Sequence, residues 1–259
     1  MGRLAWLGVF ALSLFLLFPA VALADVHVQV DGAVLHPGPR TLPSNTRFAD
    51  AVLAAMPDDR AYPLGASVLR AAAEPAQRRL KAGVLFDLDA LAASSDVSPA
   101  LSARAEALRQ WIEAMPVTGR VRSELQARRL EADSGSNRPL VDGDRFLFPS
   151  RPRTVRVVGA VIASCELPQV PLRDAREYLH DCAIDDDAAD RELLWVVQPD
   201  GQVQRLSIAA WNRSTPQALA PGAMLYVPLD EKAAEQLAPG LNDELAAFLA
   251  TQPLPVDVP

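Results

Sequence analysis

One pattern that occurs twice constrains this chain more than any other feature, because a fold built of similar units shows itself in matched punctuation. Val28, Val30, Gly32, Ala33 and Val34 recur with identical spacing as Val155, Val157, Gly159, Ala160 and Val161. Each set alternates apolar residues and then breaks at glycine, which predicts a strand running into a bend. A second match pairs Leu140, Gly143, Phe146, Phe148 and Pro149 with Leu219, Gly222, Leu225, Val227 and Pro228. It predicts a turn feeding a short closing strand that proline ends.

Between opening and closing strands each copy holds one helical candidate. Phe48, Val52 and Met56 lie four apart, while Leu172, Ala175, Leu179 and Cys182 follow a three-four-three spacing. In the second copy Leu193 to Val197, Pro199-Asp200-Gly201 and Val203 to Leu206 predict a hairpin. The unit over about 155–228 is therefore a sheet with one helix on its face, an α+β solution that buries both apolar surfaces. The first copy is interrupted by about 64 residues. Leu80, Val84, Leu88 and Leu91, then Leu101, Leu108, Trp111 and Ile112, predict a helical hairpin there, with Ser98-Pro99 starting its second helix. Val117 to Val121 predicts a turn or short strand leading back. Leu241, Leu245, Phe248 and Leu249 form the stripe of a terminal helix that either packs on the second unit or docks on a partner or membrane surface.

The N-terminus carries a different signal. An apolar run from Leu4 to Phe18 follows Arg3, and Ala22-Leu23-Ala24 supplies small residues for a peptidase. This predicts a secretory signal peptide over residues 1–24, cleaved before Asp25, and no lipoprotein processing. The remaining 235 residues hold 24 bases and 32 acids, a net charge of −8, which excludes a nucleic-acid binder of the usual basic kind. No later run reaches the roughly 18 apolar residues of a membrane span, so the exported protein is expected to be soluble.

Several motifs stand in a fixed order: Thr118-Gly119-Arg120, Ser136-Asn137, Pro139-Leu140, Gly143-Asp144, Gly159-Ala160-Val161, Tyr178-Leu179, Pro199-Asp200-Gly201, Ala210-Trp211-Asn212 and Leu241-Asn242-Asp243. In that order the chain resembles periplasmic capsule-biosynthesis proteins of the GfcC type. Their two β-grasp domains are similar to the soluble domains of outer-membrane polysaccharide exporters. The first repeat, with Val28 to Val34 and Pro37-Gly38, is closer to the SLBB form of β-grasp found in exporters.

The resemblance implies two β-grasp (SLBB-like) domains, over 25–74 with 139–152 and over 153–229. A helical insert over 75–138 ends in the T-G-R turn, and an amphipathic helix and tail occupy 230–259. It implies a non-enzymatic periplasmic role in capsule or exopolysaccharide assembly or export. The partners implied are a capsular or extracellular polysaccharide, an outer-membrane polysaccharide export protein, or both. An enzyme that modifies or cleaves the polysaccharide is the alternative.

Arg120 is the leading candidate for binding, since a guanidinium takes carboxylates in a fork; its other reading is a tie from the end of the insert to carbonyls or an acid of the β-grasp unit. Gly119 permits a tight turn or close approach beside it, and Thr118 belongs to the same motif. Nine arginines against five acids between Arg120 and Arg156 make a basic segment, whereas 13 acids face four bases from Asp181 onward. Trp211 and Asn212 are read either as a sugar platform or as core. Cys165 and Cys182 form a disulfide or leave Cys182 a buried thiol. Asp185-Asp186-Asp187 with Asp190 lacks calcium-ligand spacing, His27, His36 and His180 lack metal-ligand spacing, and no catalytic motif occurs, so no metal or cofactor is expected.

Overall fold

The computed structural model describes residues 25–256, and the signal-peptide expectation lies outside the described residues. Strands β1 (Val26–Gly32), β2 (Gly38–Leu42), β3 (Ser67–Leu69), β4 (Arg120–Val121) and β5 (Arg145–Phe148) form one sheet in the order β2-β1-β5-β3-β4. Strands β6 (Thr154–Gly159), β7 (Cys165–Pro168), β8 (Leu193–Val197), β9 (Val203–Ser207) and β10 (Met224–Val227) form another, ordered β7-β6-β10-β8-β9. In both, the opening strand is antiparallel to the second and parallel to the last, and the third is antiparallel to the last and the fourth. The repeat is therefore two β-grasp-like domains of one topology.

The repeated glycines have a common cause. Gly32 and Gly159 close the opening strands at φ +100° and +106°, and a Cβ there would lie 2.1 Å from the Phe148 carbonyl oxygen and 2.0 Å from that of Val227. No side chain fits where the opening strand meets its parallel neighbour.

Helix α1 (Phe48–Ala55) covers the first sheet, and Phe48 meets Phe146 edge-on at 5.5 Å between ring centres. Asn137 caps α1 from 88 residues away, its Oδ1 accepting the Ala49 N–H at 3.0 Å, which accounts for the Ser136-Asn137 motif. Met56 ends α1 in the left-handed conformation with its side chain half exposed, so the stripe stops at Val52 and Ala55. In the second domain the covering element is a 3-10 helix over Ala175–Asp181. Leu172 lies outside it, 91% exposed at φ +61°; Ala175 and Cys182 of the predicted stripe are buried, but Tyr178 rather than Leu179 fills the position between them. The Tyr178 hydroxyl accepts the Val170 N–H at 2.8 Å, which ties this element to the segment after β7.

The helical insert begins where expected, at Glu74, but the chain returns to the first sheet at Arg120, well before the expected 138. Helices α2 (Glu74–Ala93) and α3 (Pro99–Ala114) lie between β3 and β4, where the second domain has its Pro199-Asp200-Gly201 turn. They occupy the loop of the first domain's own hairpin. Arg120 consequently opens a sheet strand, and α4 (Ala127–Ala132) packs on α1 as part of the first domain. β3 escapes a pattern search because three residues carry too little alternation.

The insert belongs to the first domain in sequence but to the second in packing. Val84, Leu88, Leu91, Leu101, Leu108 and Ile112 share one core with β6, β8 and β10, while α1, α4 and the first sheet form a separate core. Arg104 of α3 pairs with Asp185 at 2.7 Å across this contact. Beyond the short helix α5 (Glu231–Ala234), helix α6 (Leu241–Leu249) completes the same core, with Leu241, Leu245, Phe248 and Leu249 all buried. Its stripe thus faces the second domain and α2 and offers no free docking face. Asn242, buried, accepts from the Tyr226 hydroxyl at 2.7 Å and pairs with the Leu229 backbone, and Asp243 accepts the Trp195 indole N–H at 2.9 Å. Among the described residues no helix is long and apolar enough to cross a membrane.

Candidate functional site at the domain junction

The T-G-R motif sits where both domains, the insert and the C-terminal tail meet. Gln77 of α2, buried, holds the motif's backbone: its Oε1 accepts the Gly119 N–H at 2.8 Å and its Nε2 donates to the Arg120 carbonyl at 2.9 Å. Gly119 lies at φ +71°, and a Cβ would come 2.7 Å from the Arg70 carbonyl oxygen, so it is there for close approach. Thr118 donates its hydroxyl to the Thr251 carbonyl at 2.7 Å.

Arg120 is 8% exposed, and its guanidinium donates to the Gln252 carbonyl at 2.9 Å, to the Ala250 carbonyl at 3.2 Å and to the Pro199 carbonyl. Burial pulls its pKa down to about 10, against the opposing pull of Asp200, so it remains charged near neutrality. The donors face backbone oxygens, and the side chain acts as a tie between the first domain, the second domain's hairpin turn and the tail. The tail continues the strap, since Leu254 lies against both Gly65 of the first domain and Gly222 of the second. Beside it, Arg70 grips the buried Asp144 in two bonds of 2.8 and 2.7 Å, which explains the Gly143-Asp144 motif.

Next to this tie the basic segment opens into a polar cleft of about 380 Å³ that sequence reasoning did not single out residue by residue. Arg122, Ser123, Gln126, Arg129, Ser136 and Arg138 of the first domain line it with Glu124, facing Asp200 of the second. The Arg122 guanidinium is exposed and has no partner among the described residues. Arg138 stacks 5.6 Å from the Phe48 ring centre and donates to the Arg122 carbonyl and to the Ser123 hydroxyl, leaving it without an acid. Arg129 is paired with Glu124 at 3.1 Å. The cleft thus offers two uncompensated guanidinium groups and several hydroxyl and amide groups, a set suited to an anionic, hydroxyl-rich ligand. The arginine excess between Arg120 and Arg156 was the legible signal for it.

An apolar groove of about 540 Å³, lined by Leu35, Val52, Leu53, Met56 and Leu125, adjoins the cleft through Pro63 and Gln126. Trp211 and Asn212 lie elsewhere, on the second domain, and Trp211 is 75% exposed rather than in a core. Cys165 and Cys182 are joined in a disulfide that pins β7 to the end of the 3-10 helix. The Asp185 to Asp187 turn serves α3: Asp185 takes Arg104, and the Asp187 carbonyl accepts from Ser98. Among the described residues no group of three or more His, Cys, Asp or Glu is placed to hold a metal ion.

Fold and junction together define a tandem β-grasp protein whose domains are fused by an inserted helical hairpin and a C-terminal strap. Residues 25–152 match the family described as "Capsule biosynthesis GfcC, N-terminal" and residues 163–253 the one described as "Capsule biosynthesis GfcC C-terminal". YjbG of Escherichia coli (strain K12), a protein described as uncharacterized, is 31% identical over 191 residues, 74% of this chain and 76% of its own length. The chain belongs to the GfcC-type capsule biosynthesis family.

Proposed function

We propose that this protein is a non-enzymatic periplasmic accessory factor in capsule or exopolysaccharide assembly or export, and that it works by binding an anionic polysaccharide. The observation that carries the reading is the junction cleft, where Arg122 and Arg138 stand without acid partners beside Ser123, Ser136 and Gln126. Carboxylate-bearing sugars match such groups. The adjoining apolar groove supports contact with a protein of the export machinery as well, since its aliphatic lining would leave sugar hydroxyls unpaired.

The test has two arms. Purified protein mixed with the producing cell's polysaccharide is expected to bind it while chain length and reducing-end content stay constant. Shortening or modification of the polymer would instead establish the enzymatic alternative. In cells, loss of the gene is expected to lower surface polysaccharide, and export unchanged by that loss would remove the proposal.

A further inference from the structure

The two domains carry the same groove with different chemistry. Bridge pairs Arg47 with Pro139 and Asp174 with Ala218, and again Val34 with Pro57 and Val161 with Ile184, align residues 48–56 of the first repeat with 175–183 of the second. In the first repeat the space between this helix and the segment after the fourth strand is the apolar groove of Val52, Leu53, Met56 and Leu125. In the second, the corresponding space of about 380 Å³ is lined by Arg176, Leu179, His180, Ile208 and Arg213, together with two carboxylates, Asp174 and Glu177, that are paired with Arg176 and Arg173.

The second groove is flanked by a constrained loop over 208–213. Its base is closed by the Ser214 N–H on the Ser207 carbonyl at 2.8 Å and by the Ser207 N–H on the Ser214 hydroxyl at 2.9 Å. Ala209 is buried beneath it, and an Asn212 to Ala209 backbone bond tightens the tip. The loop thus holds Trp211 out in solvent, 75% exposed, two residues from a groove-lining arginine. Arg176 is engaged by Asp174, whereas the Arg213 and His180 side chains have no partner among the described residues.

We propose that this groove is a second glycan subsite, taking one carboxylate-bearing pyranose. The Trp211 indole stacks on the apolar C–H face of the ring, Arg213 receives the carboxylate, and His180 hydrogen-bonds a hydroxyl. Stacking covers one apolar face of the indole, which makes an exposed, loop-held Trp an anchor for a sugar ring. The free Arg213 guanidinium, two residues along the chain and lining the groove, selects acid sugars over neutral ones. This inference rests on the reading that the ligand is a polysaccharide, and it makes the protein bivalent along one polymer, with the junction cleft as the other point of contact.

The test uses Trp fluorescence with acrylamide quenching, since Trp195 is buried and Trp111 partly buried, which makes Trp211 the most exposed fluorophore among the described residues. The probes are an alginate octasaccharide and an uncharged dextran octasaccharide. Alginate is expected to cut the quenching constant at least twofold, while dextran leaves it unchanged. Trp211→Ala and Arg213→Ala are each expected to weaken alginate binding about tenfold with an unaltered melting temperature. If alginate binds through Arg122 but leaves Trp211 unprotected, the subsite is refuted and the cleft stands. If nothing binds, both fall. Equal protection by dextran overturns the carboxylate assignment.

Discussion

Replacing Arg120 with alanine separates the two roles open to that residue. Its guanidinium satisfies three backbone carbonyls, from Ala250 and Gln252 of the tail and Pro199 of the second domain's hairpin, in a place 8% exposed. A hydrogen bond from a charged donor contributes roughly 1.5–3 kcal/mol, and each buried carbonyl left unpaired costs about 1–3 kcal/mol. Against this stands the desolvation of a buried cation, which the variant escapes and which is already visible in the lowered pKa. The net expectation is a loss of about 3 kcal/mol. For a chain of this size that is a fall of roughly 6–12 °C in melting temperature. Differential scanning calorimetry measures it, with Arg120→Lys as a control that can reach only part of the three acceptors and is expected to fall between. A melting temperature within 1–2 °C of wild type, joined to a large loss of glycan binding, would refute the tie and restore Arg120 as a ligand-binding residue.

Other consequences follow from the same contacts. Reducing the Cys165–Cys182 disulfide, whose partners are 17 residues apart, is expected to cost on the order of 3 kcal/mol, read as a lower melting temperature in dithiothreitol that a Cys165→Ser, Cys182→Ser double variant reproduces. Leu88→Ala removes a fully buried side chain from the core shared by the insert and the second sheet and should cost about 2–5 kcal/mol, with hydrogen exchange accelerated in β8 and β10 rather than in β1 and β5. For Asp174, burial raises the pKa but the Arg176 hydrogen bonds outweigh it and hold the carboxyl below its ordinary 3.8. The stabilisation is therefore present above about pH 4 and is lost as pH falls through the lowered value. Asp174→Asn should flatten that part of the acid-unfolding profile.

The parts legible in sequence are those where covalent geometry leaves one choice. Gly32 and Gly159 announce a duplicated strand because any Cβ would enter the next strand's carbonyl, and that local necessity survives where the rest of the repeat diverges. The helical hairpin was legible from its stripes, but not its destination: Val84, Leu88 and Ile112 look alike whichever sheet they bury. The point where the insert returns to the sheet was hidden because β3 has three residues and β4 two, and only the pairing of Val68 with Val121 and Leu69 with Arg120 defines them. The arginine-rich segment gave the cleft its sign. Which guanidinium groups are uncompensated depends on Glu124 reaching Arg129 and on Arg138 turning to Phe48, contacts that no spacing rule encodes. Trp211 shows the opposite error. Composition favours a buried tryptophan, and only the Ser207–Ser214 closure shows that its loop stands clear of the core.

The central claim is that the junction cleft holds anionic polysaccharide through Arg122 and Arg138. Isothermal titration of the producing cell's acidic polysaccharide into wild type and into an Arg122→Ala, Arg138→Ala double variant, at 20 mM and 300 mM salt, tests it most directly. Arg138 also stacks on Phe48, so both proteins are first matched by circular dichroism. The account predicts saturable binding that weakens with salt, and a loss of at least tenfold in the double variant, equivalent to about 1.4 kcal/mol. Equal affinity in wild type and a folded double variant, or binding indifferent to salt, would contradict it.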